Sequence, residues 1–420
     1  MTLIKTSLLN GVAVVVKMLT MLGLNKILAM YLGPGGYAAI GNFQNAVQII
    51  TTFSSGAINT GVIKYTAEFY DEEQKQRQVW RTAGTVALIG SIVTGVVVLV
   101  FSKQIAQWFL NDKSYSSVFV WLSISLVFFV FNTLLLAILN GKKEIYRYVI
   151  ANIAGSLFSL VVTSVLAVKL GLHGALTALA IHPSFSFVVT LYVCYRADWF
   201  KFGYIFGELD KGTVMLLGKY AAMALTSAAC VPVSHILIRH HIGETLGWEA
   251  AGYWEAMWRL SSAYLMLVTT TLSLYYLPKL SELKDSAEIK KEILQGYKII
   301  LPLAALCGIT IYLLRDLIIE ILFASNFAPM RELFAWQMIG DTLKIGSWIL
   351  AYLMLGKAMA KLFICTEVIF AANFYLLSLV LTGVMGLEGV ATAYSINYAL
   401  YWFVLAVLLR AKFFSGRHLR

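Results

Sequence analysis

Apolar stretches follow one another along the chain at roughly 8–31, 38–63, 82–101, 116–139, 148–168, 174–195, 213–238, 249–276, 297–314, 331–355, 361–382 and 387–409. Each can cross a hydrocarbon core of about 30 Å as a helix. Polar breakers separate several of them: LGPGGY at 32–37, NGKKE at 140–144, GLHG at 171–174 and MGLEG at 385–389. In lipid a backbone must satisfy its own hydrogen bonds, and a helix does so within one segment. The pattern therefore predicts an all-α polytopic membrane protein with twelve transmembrane helices.

Composition agrees with this reading. Of 420 residues, 59% are hydrophobic and 13% charged, and mean hydropathy is +0.76. Soluble domains run near half apolar and a quarter charged. A single soluble core cannot hide such an excess, because cores stop growing near about 250–300 residues. A soluble enzyme, a disulfide scaffold and a disordered chain are excluded. The net charge of +11 sits at the ends of apolar stretches, so it reads as headgroup anchoring and not as a nucleic-acid surface. Cys194, Cys230, Cys307 and Cys365 stand singly in apolar runs, without CxxC spacing. The first stretch carries Lys17 near its middle and lacks a small-residue cleavage site, so it is expected to be a retained helix. With an even number of helices, 22 Lys and Arg fall in the loops on the side of the termini and six on the other. That bias predicts cytoplasmic termini.

The chain also looks duplicated. LNKILAMYLGPGGYAAIGNF (24–43) can be laid over VSHILIRHHIGETLGWEAAGYW (233–254). The expected organisation is an N-terminal lobe, 1–197, a cytoplasmic linker, 198–212, and a C-terminal lobe, 213–420. Six helices per lobe give both lobes the same orientation, as parallel repeats with a cavity shared between them.

Five basic residues lie inside the apolar stretches: Lys17, Lys26, Lys219, Arg259 and Lys344. Lys26 and Lys219 are near helix ends, where snorkelling accounts for them. Lys17, Arg259 and Lys344 fall near mid-membrane. Facing lipid, each would cost roughly 2.5–3.5 kcal/mol, so each must face protein or water. Glu255 precedes Arg259 by four positions and Asp341 precedes Lys344 by three, which allows neutralisation along one helix face. Lys17 has no acidic residue within one turn, and an anionic ligand is the natural partner for such a cation. In the second stretch Gly41, Gln44, Asn45, Gln48, Thr52, Ser55 and Asn59 form a polar stripe, expected to be a wet wall, with polar helix contact as the alternative. Gln337, Asp341 and Lys344 share a face.

No G-x-x-x-x-G-K-[ST] and no HExxH occurs, so neither an internal ATPase nor a metal site is expected. His240 and His241 read as solvated residues at a helix end. A transporter without an ATPase runs downhill or on an ion gradient. No cofactor is expected beyond a coupling ion, proton or sodium. Glu255, Asp341 and Glu367 are the candidate coupling carboxylates.

YLGPGGY (31–37), GVIKYTAEFYDE (61–72), YYLPKLSEL (275–283) and LLRDLIIEILFASNFAPMRELFAWQMIGDTLKIGSW (313–348) resemble the bacterial Wzx-type flippases. These form the polysaccharide-exporter branch of the MOP exporter superfamily, with a MATE-like fold, and the likeness is greatest to members for enterobacterial common antigen. The resemblance implies transfer of an undecaprenyl-pyrophosphate-linked oligosaccharide, such as an O-antigen unit, from the cytoplasmic to the periplasmic leaflet of the inner membrane. It implies membrane lipids, a glycan polymerase and a chain-length regulator as partners. On the family pattern Lys17, Lys26 and Arg259 match cavity cations. With Lys344 they are the expected pyrophosphate and anionic-sugar ligands, while Gln44, Asn45, Gln48, Asn59 and Gln337 are the expected cavity lining. Gln44 departs from the pattern, since common-antigen members are basic there. Two alternatives stay open. A cation-coupled drug or small-molecule antiporter of the same superfamily would want an acidic, aromatic site. A glycan polymerase or ligase would want a long outer loop.

Overall fold

The computed structural model describes residues 3–283, 285–357 and 359–410, without the side chains of 3–10, 13, 219–220, 271, 273–274, 277–278 and 281. The side chains of Lys5 and Lys219, and the residues Lys284, Lys412, Arg417 and Arg420, lie outside what is described. The helices are α1 (Leu3–Ser54), α2 (Asn59–Glu68), α3 (Glu73–Val100), α4 (Ser102–Leu110), α5 (Ser116–Gly141), α6 (Ile145–Tyr195), α7 (Lys211–Thr245), α8 (Trp248–Thr271), α9 (Leu277–Glu282), α10 (Ser286–Leu313), α11 (Arg315–Leu322), α12 (Phe334–Gly356), α13 (Ala360–Met385) and α14 (Glu388–Leu409). Among the described residues there is no β-strand, and nine helices are long and apolar enough to cross a membrane. The chain is a multi-pass membrane protein.

α1 and α6 hold 52 and 51 residues, far more than a core of about 30 Å requires at about 1.5 Å per residue. Each breaks where the sequence places a turn. Gly33 takes φ 66° just before Pro34, and Gly171 takes φ 59°. A side chain in that left-handed region costs about 1–2 kcal/mol, which glycine avoids.

One expected helix is shorter than its apolar run. The stretch 38–63 ends at Ser54, and Gly56 (φ 61°) and Ala57 (φ 53°) turn the chain before α2 begins. The cause lies in TTFSSG. Thr51, Thr52, Ser54 and Ser55 all turn their hydroxyls onto carbonyls three or four residues back, at 2.7–3.2 Å. Such bonds weaken a helix, and the glycine then ends it. Asn59 therefore belongs to a different helix from the rest of the polar stripe, and its Nδ2 donates to Thr133 Oγ1 at 3.4 Å. The segments that follow the third and ninth apolar stretches contain the short helices α4 and α11.

Contacts divide the chain into two compact units. One comprises Met1–Leu32 and Ala39–Pro232, the other Gly33–Ala38 and Val233–Arg420. The division falls at Pro232 inside α7, where Leu217 of the preceding half packs on Gly61. In the first unit α5 is the hub, in contact with α2, α3, α4 and α6. In the second unit α12 holds that place, touching α8, α9, α10, α13 and α14.

Candidate functional site

In the first unit, α1, α5 and α6 enclose a cavity of about 380 Å³. Lys17 and Gln44 reach it from α1, Asn132 from α5, and Asn152, Ser159 and His182 from α6. None of these three amides is free. Asn132 Oδ1 accepts from Thr190 Oγ1 at 2.7 Å, and Asn152 Nδ2 donates to the Tyr148 carbonyl at 2.8 Å. Lys17 is exposed and has neither an ion pair nor a hydrogen bond among the described residues. An ammonium brings three donors and no acceptor, so this cavity offers an unserved positive charge among neutral polar groups. Lys26, nine positions along α1, is half-buried. Asn45 is half-buried and Gln48 exposed, and neither lines this cavity.

The second unit holds the other expected residues in two clusters. In one, Glu255 sits between two guanidiniums. Arg239 Nη2 donates to its Oε2 at 2.8 Å and Arg259 Nε to its Oε1 at 2.7 Å. All three are buried, at 1%, 3% and 7% exposure for Arg239, Glu255 and Arg259. Arg259 also lies 5.0 Å from the Tyr37 ring centroid and Arg239 5.4 Å from that of Trp254. Arg259, expected as a pyrophosphate ligand, is thus committed to a carboxylate. Arg239 follows the seventh apolar stretch, 213–238, beside two histidines. It is drawn into the protein by Glu255, sixteen residues away. The neighbouring histidines, expected to be solvated, are half-buried. His241 Nε2 lies 2.8 Å from Thr382 Oγ1, and His240 sits against Trp248.

The second cluster surrounds Asp341. Its Oδ2 accepts from Ser261 Oγ at 2.7 Å and from Tyr264 Oη, and its Oδ1 from Tyr394 Oη at 2.7 Å and Gln337 Nε2 at 3.3 Å. Gln337, expected on a cavity wall, is fully buried in this network. Lys344 is buried one turn on, but the expected Asp341–Lys344 ion pair is not made. The Lys344 ammonium lies 4.4 Å from the Trp258 ring centroid, 5.1 Å from Trp348, 5.3 Å from Tyr394 and 5.0 Å from Tyr398. Each such contact is worth about 0.5–2 kcal/mol. Glu367 is half-buried on α13. No group of three or more His, Cys, Asp or Glu with metal-binding geometry occurs among the described residues.

Two residues had no expected role. His182 lines the first unit's cavity, and His235 is buried against Trp254, Trp258 and Phe374. A polar residue embedded in an apolar stretch was the available signal for both.

Fold and charged interior together define a polytopic membrane protein. A family model described as "Polysaccharide biosynthesis protein" matches residues 27–332, and the chain belongs to that family. The lipid III flippases of Escherichia coli (strain K12) and Shigella flexneri are each 30% identical over 405 residues, 96% of this chain and 97% of theirs. Among solved structures, an inward-facing multidrug resistance MATE family transporter of the MOP superfamily matches with TM-score 0.72 at 14% identity, covering 94% of both chains. A MOP superfamily transporter from Pyrococcus furiosus, described as having a binding pocket of reverse polarity, matches with TM-score 0.66 at 14% identity, over 96% of this chain and 95% of its own. These likenesses establish the MATE-like fold.

Proposed function

We propose that this chain is a flippase for an undecaprenyl-pyrophosphate-linked oligosaccharide, an O-antigen unit or enterobacterial common antigen lipid III. It carries its substrate from the cytoplasmic to the periplasmic leaflet of a bacterial inner membrane by alternating access. It is a transporter and not an enzyme. Identity to lipid III flippases across nearly the whole chain supports the substrate class. The observation that carries the chemistry is Lys17, an ammonium with no partner among the described residues, beside a cavity of mixed polar and apolar lining inside a membrane-spanning unit. A pyrophosphate supplies the acceptors that this group lacks. The antiporter alternative needs acids free to take a cation, whereas Glu255 and Asp341 are occupied by donors.

The proposal extends to topology, coupling and partners. Counting the halves of α1 and α6 separately and including α8 gives twelve crossings, with both termini cytoplasmic. A proton or sodium gradient drives the cycle, and a glycan polymerase and chain-length regulator take the product. The test is complementation of strains lacking either a lipid III flippase or an O-antigen flippase. The wild-type chain should restore surface glycan in one of them. Lys17→Ala should abolish that restoration at unchanged membrane abundance, and Lys17→Arg should retain it. Normal glycan with Lys17→Ala would refute the role given to Lys17.

A further inference from the structure

Lys344 was expected to bind phosphate, and its surroundings are built for the opposite task. Among the described residues its ammonium makes no hydrogen bond and no ion pair. Four aromatic rings from three helices stand around it: Trp258 on α8, Trp348 on α12, and Tyr394 and Tyr398 on α14. Ring faces carry negative electrostatic potential, so they attract a cation and repel a phosphate. Asp341 and Glu367 add negative charge at longer range, without touching the ammonium. Several rings with nearby carboxylates form the kind of site by which proteins hold alkylammonium ligands. Here the cation is tethered, and Lys344 is only 6% exposed.

We propose that the Trp258–Trp348–Tyr394–Tyr398 cluster is an alkylammonium site that the chain fills with its own Lys344, which closes this unit to organic cations. The ligand class follows from the occupant. Shortening Lys344 to alanine deletes a propylammonium fragment and leaves its rings and carboxylates in place. Lys344 is then a specificity residue: it fixes a positive charge where an exchangeable cation would otherwise bind.

The experiment uses the full-length protein in detergent or nanodiscs. Lys344→Ala is titrated with n-propylammonium, with propan-1-ol as the neutral probe of the same length, and read by tryptophan fluorescence and thermal unfolding. The expected result is saturable stabilisation of Lys344→Ala by propylammonium, about tenfold or more stronger than by propan-1-ol. The wild type and Lys344→Met, whose rings remain covered, should not respond. Equal responses to both probes, or none in a folded Lys344→Ala protein, would overturn the proposal. If Lys344→Ala is recovered only aggregated, solubilisation with propylammonium present should restore monodisperse protein, and failure to do so counts against the site. Because binding is read directly, the outcome is independent of glycan export.

Discussion

Arg239 on α7 reaches Glu255 on α8, with Nη2 2.8 Å from Oε2, and both side chains are almost wholly buried. The other carboxylate oxygen holds Arg259, so one negative charge serves two positive ones. Breaking a buried pair from one side strands the remaining charge, at a cost of about 3–5 kcal/mol. Glu255→Gln should therefore lower thermal stability in detergent strongly, while its exposed neighbour Glu249→Gln should change little. A Glu255→Gln protein melting with the wild type would show that the guanidiniums are compensated elsewhere.

Asp341 is held by donors from three helices, and the two hydroxyls on Oδ2 need an acceptor there. Asp341→Asn places an amide donor against Ser261 and Tyr264, leaving buried polar groups unmatched. A loss of about 2–3 kcal/mol is expected. Combining it with Tyr264→Phe should cost less than the sum of the single changes, because both remove the same bond. Strict additivity in that cycle would mean the contact carries no energy.

Gly252 at the start of α8 packs against the Pro34 carbonyl within the second unit. A Cβ there would lie 1.8 Å from that oxygen, and backbone cannot yield cheaply. Gly252→Ala should reduce the yield of monodisperse protein sharply on size-exclusion chromatography. Gly35→Ala, where an added Cβ meets nothing within 4 Å, should purify like the wild type.

Asp210 precedes α7 and accepts from Thr213 N and Oγ1, both at 2.7 Å. These bonds, the hydroxyl's first, hold its carboxyl below the ordinary value of 3.8. A depressed folded-state value means the stabilisation is fully present above the ordinary value and is lost as pH falls through the lowered one. The melting difference between wild type and Asp210→Ala should be constant near neutrality, then shrink below pH 3.8. A difference that grows on acidification would contradict this sign.

Much of the architecture was legible along the chain. The apolar stretches mark helices, and LGPGGY and GLHG mark the breaks at Gly33 and Gly171, because glycine and proline act on their own backbone. The break before α2 was harder to see. TTFSSG lies inside a longer apolar run, and the hydroxyl bonds to preceding carbonyls show why the helix stops there.

The site divides along the same line. The sequence by itself determined that charge lies at membrane depth and that Lys17 lacks an acid within a turn, since hydropathy and (i, i+4) spacing are local properties. Only the tertiary structure decided which charges are engaged. Arg239 meets Glu255 from another helix, Asp341 gathers hydroxyls from α8 and α14, and Lys344 is ringed by aromatics from α8, α12 and α14. In a medium of low dielectric a charge is governed by whatever lies within a few ångströms, and those neighbours are distant in sequence.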